Sequence, residues 1–317
     1  MHEIYRRHEN FRHEEHRPEE PLEVPPLYRW PLRPIKAAQW FLFEFLYPWG
    51  LFFTVLALVA WFYLTPDLSQ MATIEPGWVA LLWLRNAGLL FLVAGTLQWF
   101  LHIRRSQGKD FKYDKRWLAK DSGRFLFRDQ VKDNMFWCLV SGITIWTLYE
   151  AATLWVYASG LVQVVSWSES PAYLSCMLLL MFFWSAIHFD LVHRPLHWRP
   201  IYRYAHALHH KNVNTGPWSG IAMHPLEHVF YFSLFLLWWV VPVDPIIITL
   251  TGFFQGLSPA VSHCGFQKIR LGKRLTVAAG THFHTLHHQL FDINFGHIFV
   301  PTDKLFGSWY DGERSGN

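Results

Sequence analysis

The chain has 317 residues, of which 51% are hydrophobic, 18% aromatic and only 16% charged. A soluble protein of that size carries about a quarter charged residues, so the composition excludes an ordinary water-soluble domain and places the chain in a bilayer. Its formal net charge of +4 fits attraction to anionic lipid headgroups and gives no reason to expect nucleic acid.

Residues 1–36 are polar, rich in Glu, Arg, His and Pro, and hold no apolar h-region, so they read as a disordered cytoplasmic tail and not as a signal peptide. The mixture of His2, His8, His13 and His16 with Glu14, Glu15 and several arginines marks a solvated segment, not a metal tract. Four apolar stretches follow within residues 37–192: Trp40–Leu64, Trp78–Leu101, Phe136–Tyr157 and Pro171–Val192. About 20 apolar residues cross a hydrocarbon core, so all four qualify as spans. Glu44 and Pro48 put the first turns of the first stretch at the interface. Val229–Val241 and Pro245–Ser262, separated by Pro242 and Pro245, suit a membrane hairpin within a catalytic region of residues 193–317. The expected fold is all-α, a polytopic membrane helix bundle with a cytoplasmic histidine-box cap.

Orientation follows from the loops. Residues 102–135 contain ten Lys or Arg, whereas 65–77 and 158–170 contain none. The positive-inside rule then puts the N-terminus, this basic loop and the histidine-rich segments in the cytoplasm. Eighteen tryptophans and 27 phenylalanines suit aromatic belts at the lipid interface.

Fourteen of the 19 histidines lie between His188 and His297. They include His193-x3-His197, His206-x2-His209-His210 and His284-x2-His287-His288. Residues three and four apart share a helix face, so each box can aim its imidazoles at one small volume. Imidazole is neutral near pH 7 and suits Fe, Zn, Cu and Ni, and eight of them can surround two divalent ions. Cys138, Cys176 and Cys264 form no CxxC pair, which excludes a disulfide framework and a thiolate site. There is neither a GxGxxG unit nor a Walker-type loop, so electrons for any redox chemistry come from outside.

From about Phe189 to Trp309 the chain resembles the fatty acid hydroxylase superfamily, which includes sterol desaturases, sterol methyl oxidases and sphingolipid hydroxylases. The likeness rests on HRPLH at His193–His197, LHH preceded by IYRYAHA, MHPLEH at Met223–His228, SHCGF at Ser262–Phe266, HTLHH at His284–His288, NFG at Asn294–Gly296 and DKLFGSW at Asp303–Trp309. Two positions depart from the family pattern: Pro195 replaces an aliphatic residue, and Thr302 stands where Trp is frequent. A proline inside a helix removes a hydrogen bond, so Pro195 is expected in the first turn of a new helix or at a kink.

The resemblance implies a multi-pass enzyme of the endoplasmic reticulum or a bacterial cytoplasmic membrane. It implies two metal ions, normally iron with zinc as a substitute, that activate O2 against a lipid C–H bond. It implies an external electron donor of cytochrome b5 or ferredoxin type. Hydroxylation and desaturation both remain open, as does the choice among sterol, fatty-acyl and other lipids. On this reading His193, His197, His206, His209, His210, His284, His287 and His288 are the metal ligands. His263 is the candidate for a ninth. His224 and His228, again i, i+4 with Pro225 at a helix start, are candidate ligands or orienting groups. Glu227, Asn294 and Asp303 are candidates to hold imidazole N–H groups. His188, His282 and His297 are expected in the core or at interfaces. Phe182, Phe183, Trp184 and the aromatics of Phe230–Trp239 are candidates to line an apolar channel.

Two other classes compete. A divalent-metal transporter needs ionisable residues at mid-bilayer depth, and here only Arg85 and Glu150 qualify. A zinc-dependent lipid hydrolase is open too, because histidine suits zinc as well as iron.

Overall fold

The computed structural model describes residues 24–272, 275–298 and 300–310. Within these residues, five helices are long and apolar enough to cross a membrane: α1 (Pro34–Leu64), α2 (Pro76–Ile103), α3 (Gln130–Ala158), α4 (Pro171–Leu196) and, after the short α5 (Pro225–Phe232), α6 (Pro245–Ser262). The cap adds α7 (His282–Leu290) and α8 (Thr302–Leu305). It also holds a two-stranded antiparallel ribbon, β1 (Lys268–Leu271) against β2 (Leu275–Ala278), which the all-helical expectation did not include.

Local chemistry sets the helix starts. Pro34, Pro76, Pro171, Pro225 and Pro245 each occupy the first turn of their helix, where the missing N–H costs nothing. Asp129 and Asp244 accept backbone N–H groups of Lys132 and Ile246 at 3.0 Å, capping α3 and α6. Within α1 the backbone turns extended at Tyr47, as the residue before a proline is biased to do.

α6 is the centre of the bundle. Of its apolar window 83% is buried inside the protein, against 22% for α1, which turns Phe52, Val55, Leu58, Val59 and Phe62 outward. The fully buried Trp146 of α3 lies across Gly252 and Gly256 of α6, where a Cβ would stand 2.5 Å from the indole. The expected hairpin reaches the far end of the bundle: the Tyr157 hydroxyl donates to the Trp238 carbonyl at 2.7 Å and the Tyr173 hydroxyl to the Pro242 carbonyl at 2.8 Å. Its first arm is α5 followed by 3₁₀ turns over Ser233–Trp239, not one continuous helix.

Arg85 and Glu150, the ionisable residues expected at depth, bond to each other at 2.5 Å and are both buried. Asn86 donates to the same carboxylate at 3.0 Å. A mutually paired couple of this kind is a strut between α2 and α3, which removes the support for a transport relay.

The basic loop 104–129 and all three histidine boxes lie at one end of the bundle. His102 reaches the Cys264 carbonyl at 2.9 Å, and Gln130 donates to Asn212 at 2.9 Å and to the Asn214 carbonyl at 2.7 Å. Of the expected tail, residues 24–36 belong to the described structure and differ from the expectation. Tyr28 is buried, packs tilted against Trp309 at 4.3 Å between ring centroids, and donates to the Val300 carbonyl at 3.1 Å. Residues 1–23, with His2, His8, His13 and His16, lie outside the described residues.

Gly256→Val is expected to destabilise the protein by about 1–3 kcal/mol by overpacking against Trp146. Gly88→Ala, with nothing within 4 Å of its added Cβ, is the neutral control. Thermal unfolding in detergent, followed by fluorescence-detected gel filtration, measures both.

Candidate metal centre

The boxes arrive from four pieces of chain. His193 and His197 occupy the last turn and the C-cap of α4. His206, His209 and His210 sit on the helical turns that follow, His263 caps the C-terminus of α6, and His284, His287 and His288 lie along α7. Pro195 stands in the last turn of α4, not at a new helix start. The turn tightens past it, with the His197 N–H bonded to the Arg194 carbonyl at 3.2 Å, so the proline disturbs nothing downstream.

Nine imidazoles converge in two groups. One holds His193, His197, His206, His210 and His287, and the other His209, His263, His284 and His288. In each, one ring nitrogen per residue lies within 4.8 Å of all the others. His193 Nε2 is 3.0 Å from His206 Nε2, 3.2 Å from His287 Nε2 and 3.4 Å from His197 Nε2. His287 and His210 stand 3.1 Å apart. In the second group the Nε2 separations are 2.8 Å for His263–His284 and 3.2 Å for both His263–His288 and His284–His288.

Proton placement decides what these distances mean. His193 Nδ1 lies 2.6 Å from the Phe295 carbonyl, and His287 Nδ1 lies 2.6 Å from the Ile293 carbonyl. A carbonyl can only accept, so each of these imidazoles keeps its proton on Nδ1 and presents a bare Nε2. Two lone pairs 3.2 Å apart repel unless a cation lies between them. With metal–nitrogen bonds of about 2.0–2.1 Å, adjacent ligands stand about 2.9 Å apart in an octahedron and about 3.4 Å in a tetrahedron. The observed 2.8–3.4 Å spacing spans those values, so the donor sets fit divalent ions.

The electrostatics agree. Burial, reinforced by neighbouring imidazoles, holds His206, His209, His210, His284, His287 and His288 well below the ordinary imidazole value and pushes His197 down to about 2. Neutral rings with free lone pairs are what a metal requires. Glu227 Oε1 faces His206 Nδ1 at 2.7 Å, and burial raises its carboxyl well above the usual range.

The remaining candidates fall into place differently. His263 joins the second group, its Nδ1 3.0 Å from the Pro259 carbonyl. His224 and His228 join neither. His224 Nδ1 accepts the Leu226 N–H at 3.2 Å as the N-cap of α5. His228 Nε2 donates to the Ile221 carbonyl at 3.0 Å while Ser141 donates to its Nδ1 at 2.8 Å, so both nitrogens are used.

Of the three candidate orienting residues, only Glu227 touches an imidazole. Asn294, in the left-handed region at φ 51°, donates to the Tyr310 carbonyl at 2.8 Å and accepts its N–H at 2.9 Å. Asp303 accepts the N–H groups of Phe295 and Gly296 at 2.9 and 2.8 Å and pairs with Arg194. The two thus hold the backbone whose carbonyls, at 293 and 295, orient His287 and His193. Gly296 is required there, since a Cβ would stand 2.4 Å from Thr302 Oγ1 and 3.1 Å from both Asp190 and Asp303. Backbone carbonyls have no residue signature; the run NFG before DKLFGSW was the only available sign. His188 and His282 are buried and His297 is half-buried, all outside both groups.

A cavity of about 330 Å³ runs up to the second group, touching His209, His263 and His284 but none of the five-histidine group. Its aromatic walls include Phe45, Trp49, Phe189 and Phe254, not the expected Phe182, Phe183 and Trp184, and of the aromatics in Phe230–Trp239 only Tyr231 lines it. Phe182 instead packs edge-on against Phe45 and Phe254.

A family model described as fatty acid hydroxylase matches residues 174–308. Among curated proteins, a Delta(7)-sterol 5(6)-desaturase of Gibberella zeae is 30% identical over 37% of this chain and 33% of its own. A Delta(7)-sterol-C5(6)-desaturase of Nicotiana tabacum is 26% identical over 72% of this chain and 83% of its own. Methylsterol monooxygenase 1 of Gallus gallus is 30% identical over 45% and 49%. The chain thus spans about a third to a half of the length of the first and third of these relatives. No solved structure matches.

Burial holds His228 and His297 down at about 4, against about 6.5 in an unfolded chain. Between pH 6.5 and 4 the unfolded state therefore takes up protons that the folded state refuses, and stability falls as pH falls, by on the order of 3 kcal/mol for each group. Thermal unfolding of metal-stripped protein is expected to show a loss at least this large over that window, because the unloaded cluster imidazoles are held down in the same direction, and a plateau above pH 7.

Proposed function

We propose, because residues 174–308 match the fatty acid hydroxylase family model and the chain gathers nine imidazoles, seven of them buried, at the end of an apolar cavity, that it is a membrane oxidoreductase. It uses O2 to hydroxylate or desaturate a sterol or fatty-acyl type lipid. The carrying observation is that two adjoining imidazole groups are gathered at one place and that the four-histidine one opens on a cavity lined by aromatic side chains.

On this reading His193, His197, His206, His210 and His287 hold one ion, and His209, His263, His284 and His288 hold the other. When bound, two iron ions supply the activation of O2 and the cleavage of an unactivated C–H bond. The chain's own residues do the rest. The carbonyls of Phe295 and Ile293 keep the protons of His193 and His287 on Nδ1, and the Glu227 carboxyl fixes the ring of His206 through its Nδ1. The aromatic walls exclude water and admit the lipid to the four-histidine group. The basic loop 104–129 lies at the same end as the cluster, so the positive-inside rule puts both in the cytoplasm. There a soluble or membrane-anchored donor of cytochrome b5 or ferredoxin type can reach them.

Expression in a lipid-producing host with lipid mass spectrometry is expected to show a product gaining one oxygen or losing two hydrogens with wild type and not with His209→Ala. Elemental analysis and Mössbauer spectroscopy of purified protein are expected to find about two irons per chain. Zinc alone, together with lipid cleavage products, would instead identify a hydrolase. Asn294→Ala, which frees the 293–295 backbone, is expected to weaken metal retention about 10- to 100-fold, read by elemental analysis after chelator dialysis.

A further inference from the structure

The cavity carries one polar feature that the metal centre does not explain. In its wall, Ser185 of α4 donates to Gln255 Oε1 of α6 at 2.8 Å. Gln255 Nε2 donates to the Tyr231 carbonyl at 3.3 Å, and the Tyr231 hydroxyl donates to the Gln255 carbonyl at 2.9 Å. All three residues are at least nine-tenths buried and line the cavity. The serines of α6 behave differently: Ser258 and Ser262 bond back to carbonyls of their own helix, Phe254 and Pro259, as hydroxyls in apolar helices commonly do.

The donor and acceptor count is unequal to the partners present. The Tyr231 carbonyl can only accept, so the carboxamide end facing it is nitrogen, and the other end, facing Ser185, is oxygen. Gln255 then retains a second N–H, and Ser185, having donated its proton, retains oxygen lone pairs. One donor and one acceptor side by side match an alcohol, which offers one of each. A phosphate or carboxylate would find no cation among these three side chains, and a ketone would leave Ser185 unanswered. An interhelical bond serving only to join α4 and α6 would need neither the cavity nor the surplus N–H.

Position gives the feature its meaning. Ser185 precedes His193 by eight residues on α4, and Gln255 precedes His263 by eight residues at the end of α6, a rise of about 12 Å on each helix. Phe189, stacked on His193 at 4.6 Å, fills the interval on α4. We propose that Ser185 and Gln255 form a subsite for the hydroxyl group of a lipid alcohol, so that the carbon offered to the histidine cluster lies on the order of 10 Å from that hydroxyl. The proposal rests on the reading of this chain as a lipid oxidase.

The test uses full-length protein in phosphatidylcholine nanodiscs and two matched pairs of radiolabelled probes, cholesterol with cholestane and 1-octadecanol with octadecane. Wild type is expected to bind the alcohol of at least one pair roughly tenfold more tightly than its hydrocarbon. Ser185→Ala and Gln255→Met are expected to erase that preference without weakening the hydrocarbon, and Ser185→Thr to restore it. No preference in either pair, or a preference kept by both variants, overturns the subsite. Unfolding temperatures verify that the variants fold, and Ser185→Ala, the smaller change, decides the matter if Gln255→Met does not fold. In the lipid-producing host, a wild-type product oxidised remote from its hydroxyl and lost or scattered in position with Ser185→Ala supports the proposal. The same product at the same carbon from the variant overturns it while leaving the oxidase intact. Absence of any wild-type product sinks the oxidase reading instead, and the binding preference then still decides the subsite.

Discussion

Bare imidazole nitrogens facing one another at about hydrogen-bond distance are the constraint on which the rest of the protein depends. Two carbonyls that can only accept lock His193 and His287 with their protons turned outward, and the resulting lone pairs stand 3.2 Å apart. Such an arrangement is repulsive by itself and is held by everything around it: the C-terminal turn of α4, the end of α6, the length of α7 and the 293–308 segment. Stabilising it takes cations, and neutral ligands leave the cations' charge uncompensated. That charge cannot face lipid tails, which is why the cluster lies at the ends of the helices and not midway along them.

The same reasoning explains the distribution of acids. Among the described residues, Glu227 is the carboxyl that contacts a clustered imidazole, and it does so through Nδ1, on the side away from the converging nitrogens. Asp190 and Asp303 share Arg194, and Asp303 also accepts the N–H groups of Phe295 and Gly296 and the Ser308 hydroxyl. Asp303 thus acts on the centre at one remove, by fixing the stretch of backbone that turns His193 and His287. The Arg85–Glu150 pair illustrates the opposite solution within the membrane, where opposite charges cancel each other completely enough to be buried.

Much of this was legible in the chain because helical spacing is a one-dimensional signal. The i, i+4 pairs His193/His197, His206/His210 and His284/His288 each meet in one group as their spacing announced, whereas the i, i+3 partners His209 and His287 cross to the other group, so that neither three-histidine box serves one volume. The apolar runs announced where helices cross. His263 needed its surrounding SHCGF motif, since a lone histidine carries no spacing. His224 and His228 show how the signal misleads: they have the same i, i+4 separation as His193 and His197, yet one is a helix cap and the other is held by Ser141 and a carbonyl. Pattern reports a shared face but not what that face meets. The orienting carbonyls of Ile293 and Phe295 and the four-residue strands β1 and β2 left almost no mark, because backbone groups are common to every residue and strands so short have no usable alternation.

The cavity walls were the least legible part, for a physical reason. Within a bilayer an apolar stripe faces lipid, a neighbouring helix or a ligand space with equal chemical plausibility, so Phe182 and Phe254 look alike in sequence although only Phe254 lines the cavity. What separates them is the position of α6, buried on nearly all sides, between α1 and α4. Because α6 carries His263 at its end and Gln255 two turns earlier, one helix sets both the floor of the metal centre and the polar mark within the cavity. Its close contact with Trp146, made through Gly252 and Gly256, fixes how far it can slide or rotate, and any shift there would displace a metal-facing nitrogen and the cavity wall together. Packing deep in the bundle and chemistry at its end are therefore a single mechanical unit, joined along one helix axis.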